Sequence, residues 1–190
     1  MSDHHIDAHG VADTLFLQGK YKEALDKYRI LADEGSVAAQ LRIGWFYQKG
    51  LGVSIDLEEA YRWYKKAAVT DSPTGQFYMG VLQRAQKNYQ EAFCWFEKAA
   101  AQDYVPAIYC LGEAYQFGEG VDVDRNKANK YFEKAAAMGH LLGQRRIAVN
   151  MIKGNRGITN IPRGLFMFAR FMKSTYRLAS EDPDSDLIRR

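Results

Sequence analysis

Laid against itself, the chain superimposes three times. "LRIGWFYQKGLGVSIDLEEAYRWYKKAA" begins at Leu41, "FYMGVLQRAQKNYQEAFCWFEKAA" at Phe77 and "YCLGEAYQFGEGVDVDRNKANKYFEKAA" at Tyr109. A fourth stretch, "LFLQGKYKEALDKYRILA" from Leu15, matches their second half. Glycine recurs at Gly44, Gly80 and Gly112, at separations of 36 and 32. A small pair recurs at Ala67-Ala68, Ala99-Ala100 and Ala135-Ala136, at 32 and 36. Self-similarity at this period means stacked helical hairpins, because one hairpin cannot bury its apolar face without neighbours to cover it.

Each unit reads as two helices, which predicts pairs over 8–18/21–34, 37–49/56–69, 73–85/88–101 and 105–117/124–138. A fifth, divergent pair is expected over 141–153/162–180. Asp56 with Glu59, Asn88 with Glu91, and Asp124 are placed to cap the second helices. Pro73 and Pro106 stand near the starts of first helices, where a missing N–H is harmless. Glycine in a helix interior costs roughly 1 kcal/mol relative to alanine. Gly44, Gly80 and Gly112 are therefore expected where a side chain would hold the two helices of a hairpin apart. Gly50 and Gly118 fit left-handed helix ends, and Gly52 and Gly120 let the chain turn ahead of Val53 and Val121. Pairs one and three shorten this connection to "QGKY" and "QKNY", which accounts for the alternating spacing. "GLG" and "GEG" are not phosphate loops, since no strand precedes them.

These residues resemble the Sel-one-like repeat, a relative of the tetratricopeptide repeat. The second repeat carries the pattern as Ile43-Gly44, Tyr47, Gly50, Gly52-Val53, Asp56, Glu59-Ala60, Trp63-Tyr64 and Lys66-Ala67-Ala68. The fourth carries it as Leu111-Gly112, Tyr115, Gly118, Gly120-Val121, Asp124, Lys127-Ala128, Tyr131-Phe132 and Lys134-Ala135-Ala136. The first and third lack the G-x-G loop and are closer to plain tetratricopeptide units. The resemblance covers about residues 8–144. It implies an all-α, right-handed superhelix of antiparallel helix pairs whose concave groove binds a peptide or protein surface, with no enzyme activity and no cofactor. Some secreted members of the family carry a disulfide in each repeat, and this chain lacks those cysteines.

Composition agrees with a globular protein: 47% of the 190 residues are hydrophobic and 26% charged. No apolar run approaches a membrane span, and "MSDHHIDAHG" lacks the apolar region of a secretory signal, so a cytoplasmic protein with a flexible segment over 1–7 is expected. Cys94 and Cys110 have no metal-type spacing and read as small buried hydrophobes. His4, His5 and His9 beside Asp3 and Asp7 read as a frayed polar terminus rather than a metal site, and His140 as a surface residue past a helix end. No nucleophile–base–acid set recurs where a pocket would need one. Residues 145–190 hold ten Lys/Arg against four Asp/Glu, whereas 1–144 hold 16 against 19. A net acidic array without exposed aromatics among its basic residues argues against nucleic acid as partner.

In arrays that the chain resembles, the first helix of each pair lines the groove. Carried onto this sequence, that places Leu41, Trp45 and Gln48, then Phe77, Val81 and Arg84, then Tyr109, Glu113 and Gln116 on the partner's side. Ala148 takes the glycine place in the fifth unit and adds Arg145, Val149 and Ile152. Aromatic anchors beside arginine are the usual composition of binding hot spots, with Arg84, Glu113 and Arg145 set to confer specificity. Trp45 and Phe77 have a plainer reading as packing against the neighbouring hairpin.

The last helix departs from the repeat. Leu165, Met167, Phe168, Ala169, Phe171, Met172, Tyr176, Leu178 and Ala179 fall in one wide arc, and Arg163, Phe166, Arg170, Lys173 and Arg177 in the opposite one. Three readings stand: a polar-backed cap for the solenoid, a docking element for a partner or a second copy of the chain, and a contact with an anionic membrane surface. The final stretch, 181–190, reads as a polar tail. The runner-up function is accordingly that of a peripheral membrane or cell-envelope assembly factor held through residues 162–180.

Overall fold

The computed structural model describes residues 8–153 and 158–181. The expectations for 1–7, and for the tail beyond Glu181, lie outside these residues, as do those for the side chains of Leu178 and Ala179. Among the described residues, ten α-helices follow one another: α1 (Ala8–Leu17), α2 (Tyr21–Asp33), α3 (Val37–Lys49), α4 (Leu57–Val69), α5 (Pro73–Ala85), α6 (Tyr89–Ala101), α7 (Val105–Phe117), α8 (Arg125–Ala137), α9 (Leu141–Ile152) and α10 (Ile161–Glu181), the last preceded by a 3-10 turn at Ile158–Asn160. Among the described residues there is no strand. Each odd helix packs on the even helix after it, so the all-α hairpin pattern holds from first pair to last. The chain divides into two compact units, Met1–Tyr104 with three hairpins and Val105–Arg190 with two. The repeat gave no sign of this boundary, because the pattern continues across it without a change of composition.

The glycines lie where the second helix sends in a ring. A Cβ on Gly44 would sit 2.7 Å from Cε1 of Tyr64, one on Gly80 2.6 Å from that of Phe96, and one on Gly112 2.5 Å from that of Phe132. All three rings are fully buried. The two flanking hairpins keep the close approach with other residues. In the first, buried Ala12 stands 16 residues before buried Tyr28, the same interval as Gly80 to Phe96. In the fifth the roles are exchanged: Ala148 is buried on α9, and Gly164 on α10 faces it, where a Cβ would meet the Ala148 carbonyl at 2.9 Å.

Capping follows the expectation in part. Asp56 accepts from the amides of Glu58 and Glu59, and Asp124 from those of Asn126 and Lys127. Asn88 makes no such cap; its amide donates to Gln83 Oε1 at 2.8 Å. The short connection turns through Lys87 at φ +66° and leaves Asn88 away from the extended backbone that a cap requires. First helices carry caps that sequence reading overlooked: Ser36 on α3, Ser72 on α5 and the imidazole of His140 on α9.

Three further readings are corrected. Cys110 is buried, but Cys94 is exposed on α6, although Phe93 and Phe96 of the same helix are buried. His9 is no frayed residue: it belongs to α1, and its Nε2 lies 3.0 Å from Ser36 Oγ. His140 is half-buried rather than a surface group.

Candidate functional site

In the first unit, the residues that the repeat register selects are half-buried and already engaged with the fold. Leu41 packs on the cluster of Ala60, Tyr64 and Met79. Trp45 meets Phe16 edge-on, with ring centroids 5.6 Å apart. Gln48 accepts from the Tyr64 hydroxyl at 2.9 Å, and that ring stacks on Tyr78 at 4.6 Å. Burial raises the Tyr64 pKa, so the hydroxyl stays a donor. Phe77 touches the rings of Phe96 and Tyr104, and the Arg84 guanidinium lies 5.9 Å from the Phe96 centroid. Val81 is half-buried beside them. The packing reading of Trp45 and Phe77 therefore has direct support, and both side chains stay partly exposed.

In the second unit the register brings four predicted residues together. Tyr109 and Gln116 from α7 and Arg145 and Val149 from α9 line one cleft of about 470 Å³. Glu113 and Ile152 are half-buried but do not line it. The cleft also takes Arg125, Ala128 and Asn129 from α8, which a rule restricted to first helices misses. Arg146 and Lys153 complete its basic side, and Leu142 adds an apolar patch. A contiguous signal was present, the Arg145-Arg146 pair, but only one of the two falls on the predicted face.

Arg146 is held without a carboxylate. Gln116 Oε1 accepts from its Nη1, and its guanidinium lies 4.3 Å from the Phe132 ring centroid, within cation–π range. Tyr109 is buried; its ring stacks on His140 at 4.5 Å and leans on Phe132 at 5.2 Å. Burial raises the Tyr109 pKa, which the hydrogen bond to Arg146 partly offsets. His140 Nδ1 accepts from the Gly143 amide at 3.3 Å, so its neutral form is the one that caps α9. Burial lowers its pKa, and the charge of Glu113 opposes that shift. Asn150 Nδ2 reaches Asn129 Oδ1 at 3.5 Å across the cleft. The arrangement offers positive charge, amide groups and a small apolar floor. Among the described residues, no three of His, Cys, Asp and Glu come together as metal ligands.

On α10, Arg163, Phe166, Arg170, Lys173 and Arg177 are all exposed. Leu165, Met172 and Tyr176 are exposed too, although Phe171 and Gly164 are buried. The wide apolar arc is thus only partly covered by α9, and its exposed residues lie beside an exposed cationic face. Among the described residues, no helix is long and apolar enough to cross a membrane.

The Sel1 repeat family matches residues 37–68, 73–104 and 105–140, that is, the second, third and fourth hairpins. The third matches although it lacks the G-x-G loop. An uncharacterized protein of Neisseria meningitidis serogroup B is 34% identical over 128 residues, 66% of this chain, and the chain spans 27% of that relative's length. A Sel1 repeat protein from Oxalobacter formigenes is similar in structure, with a TM-score of 0.75 and 28% identity over 86% of this chain and 71% of that one. A protective antigen of uropathogenic Escherichia coli with an SLR fold gives a TM-score of 0.66 at 24% identity, over 81% and 34% of the two chains, a likeness of fold. With ring-filled glycines in three hairpins and the family's pattern over more than half its length, this chain belongs to the Sel1 repeat family.

Proposed function

We propose that the chain is a non-catalytic interaction module, binding a peptide or protein surface through its first helices. The observation that carries this reading is the meeting of Tyr109, Gln116, Arg145 and Val149 in one cleft, since the repeat register selects the same four residues from two separate helices. Repeat solenoids of this type commonly serve as protein–protein interaction modules, and rigid hairpins suit that work because little is left to order on binding. In the first unit the contact would use the half-exposed edges of Trp45, Phe77 and Arg84. Affinity capture from lysate, with wild type beside Trp45→Ala and Arg145→Ala, tests the reading. A protein retained by wild type and lost by either folded variant supports it; identical retention by all three overturns it. Tyr109→Ala is unsuitable here, because the buried ring supports His140 and Phe132.

A second reading rests on α10, whose exposed Leu165, Met172 and Tyr176 lie beside a row of cations. Such a helix can settle on an anionic lipid surface. Co-sedimentation with anionic vesicles, abolished by Leu165→Ser/Met172→Ser, is the expected result; sedimentation unchanged by those substitutions counts against it.

A further inference from the structure

We infer that the cleft between α7, α8 and α9 binds an acidic peptide segment, one in which aspartate or glutamate flanks an aliphatic residue. The inference rests on the interaction-module reading and specifies the chemistry of its partner in the second unit. Four cations, Arg125, Arg145, Arg146 and Lys153, share one cleft, and no carboxylate lines it. By contrast, Arg29, Arg42 and Arg62 in the first unit each have a carboxylate within ion-pair distance. Arg146 is held by the neutral Gln116 amide oxygen, the Phe132 face and a hydrogen bond with the Tyr109 hydroxyl, which orient the guanidinium without a carboxylate in the cleft lining. A planar, oriented guanidinium with spare N–H groups is suited to a carboxylate. Like charges gathered in one cleft repel, and an anion relieves that repulsion.

The rest of the lining narrows the anion to a peptide. Leu142, Val149 and Ala128 give an apolar floor for an aliphatic side chain, and Asn129 and Asn150 present amides that match a peptide backbone. Single-stranded nucleic acid needs free aromatic faces on which to stack. The one aromatic in the lining, Tyr109, is buried and stacked on His140. A volume of about 470 Å³ falls within the range of compact ligand sites, roughly 300–1,000 Å³.

The test is fluorescence anisotropy on the full chain with a labelled Asp-Glu-Leu-Asp-Glu peptide, its Asn-Gln-Leu-Asn-Gln counterpart, and a single-stranded oligonucleotide of equal charge. A second protein carrying Asp182→Asn, Asp184→Asn and Asp186→Asn removes three of the chain's own carboxylates as competitors. The acidic peptide should bind at least about tenfold more tightly than the neutral one, a difference of about 1.4 kcal/mol. Arg145→Gln/Lys153→Gln should weaken it about tenfold, whereas Arg170→Gln/Arg177→Gln on α10 should change it less than about twofold. Equal binding of the two peptides, equal loss from the α10 pair, or tighter binding of the oligonucleotide overturns the inference. So does failure of the acidic peptide to bind either protein. If the peptide fails while capture still depends on Trp45, the interaction-module reading survives and the acidic ligand alone falls.

Discussion

At the scale of single residues, the fold turns on whether a ring and a backbone share one space. Gly80→Ala illustrates the balance. Alanine gains roughly 1 kcal/mol of helix propensity, but its Cβ would lie 2.6 Å from Phe96, a ring 2% exposed with no room to retreat. Overpacking of this kind costs about 1–3 kcal/mol, so the substitution should destabilise by about 1 kcal/mol net in urea unfolding. In a Phe96→Leu background the same change should be neutral or stabilising, because the obstructing edge is gone. A loss of equal size in both backgrounds would remove the ring from the explanation. His140 supplies a second residue-scale prediction. Its pKa is lowered in the folded chain, so between that value and the usual 6.5 or so the unfolded state binds more protons. Its contribution is complete above the usual value and fades as pH drops through the folded one; protonation of Nδ1 also removes the acceptor for the Gly143 amide. Melting at pH 7.5 and 5.5 should show a smaller drop for His140→Ser, whose hydroxyl caps at either pH. A drop as large as wild type's would put the pH dependence elsewhere. The glycines were legible because three copies expose a shared constraint, while the cap at Asn88 was misread because "NYQE" has the spacing of a capping box and only the backbone turn at Lys87 denies it.

At the scale of elements, the helices were plain in the sequence and their exposed surfaces were not. Periodicity reports which side of a helix is apolar, and the hairpin boundaries follow from that and from the glycines. It does not report which neighbour covers the apolar side, and there α6, α8 and α10 each departed from expectation. The α8 contribution to the cleft, Arg125 and Asn129, was invisible to a rule that looked only at first helices. On α10 a wide apolar arc was visible, but its partial cover by α9 depends on Gly164 admitting that helix against Ala148. On α6, Cys94 looked like its counterpart Cys110, yet one is exposed and the other buried. Reaction with a thiol reagent under native conditions should therefore modify one cysteine quickly, and Cys94→Ser should abolish that phase. Cys110 should react at the rate of local or global opening. Two fast thiols, or a fast phase that persists in Cys94→Ser, would contradict the placement of α6 and α7.

At the scale of the whole molecule, the question is how far a disturbance in one hairpin is felt. In a helical array stability is approximately a sum of hairpin terms and neighbour interfaces, so coupling should follow shared partners. Gly44 and Gly80 have them: the ring beneath Gly44 is Tyr64, which stacks on Tyr78 of α5, the helix that carries Gly80. Phe77, next to Tyr78, touches Phe96, the ring beneath Gly80. Pushing Tyr64 with an alanine at 44 displaces the helix that an alanine at 80 must also displace. The double substitution Gly44→Ala/Gly80→Ala should thus depart from the sum of its parts by about 1 kcal/mol. Gly112 belongs to the other compact unit, and its ring, Phe132, packs with Tyr109 and Arg146 of that unit. Gly44→Ala/Gly112→Ala should add to within about 0.5 kcal/mol. Urea unfolding followed by circular dichroism, with m-values checked for a change of cooperativity, decides between the cases. Coupling as strong across the units as within one would mean that Tyr104 and Val105 mark a division of contacts but not of energy, and that a ligand held at Arg145 could then steady the hairpins around Trp45 as well as its own.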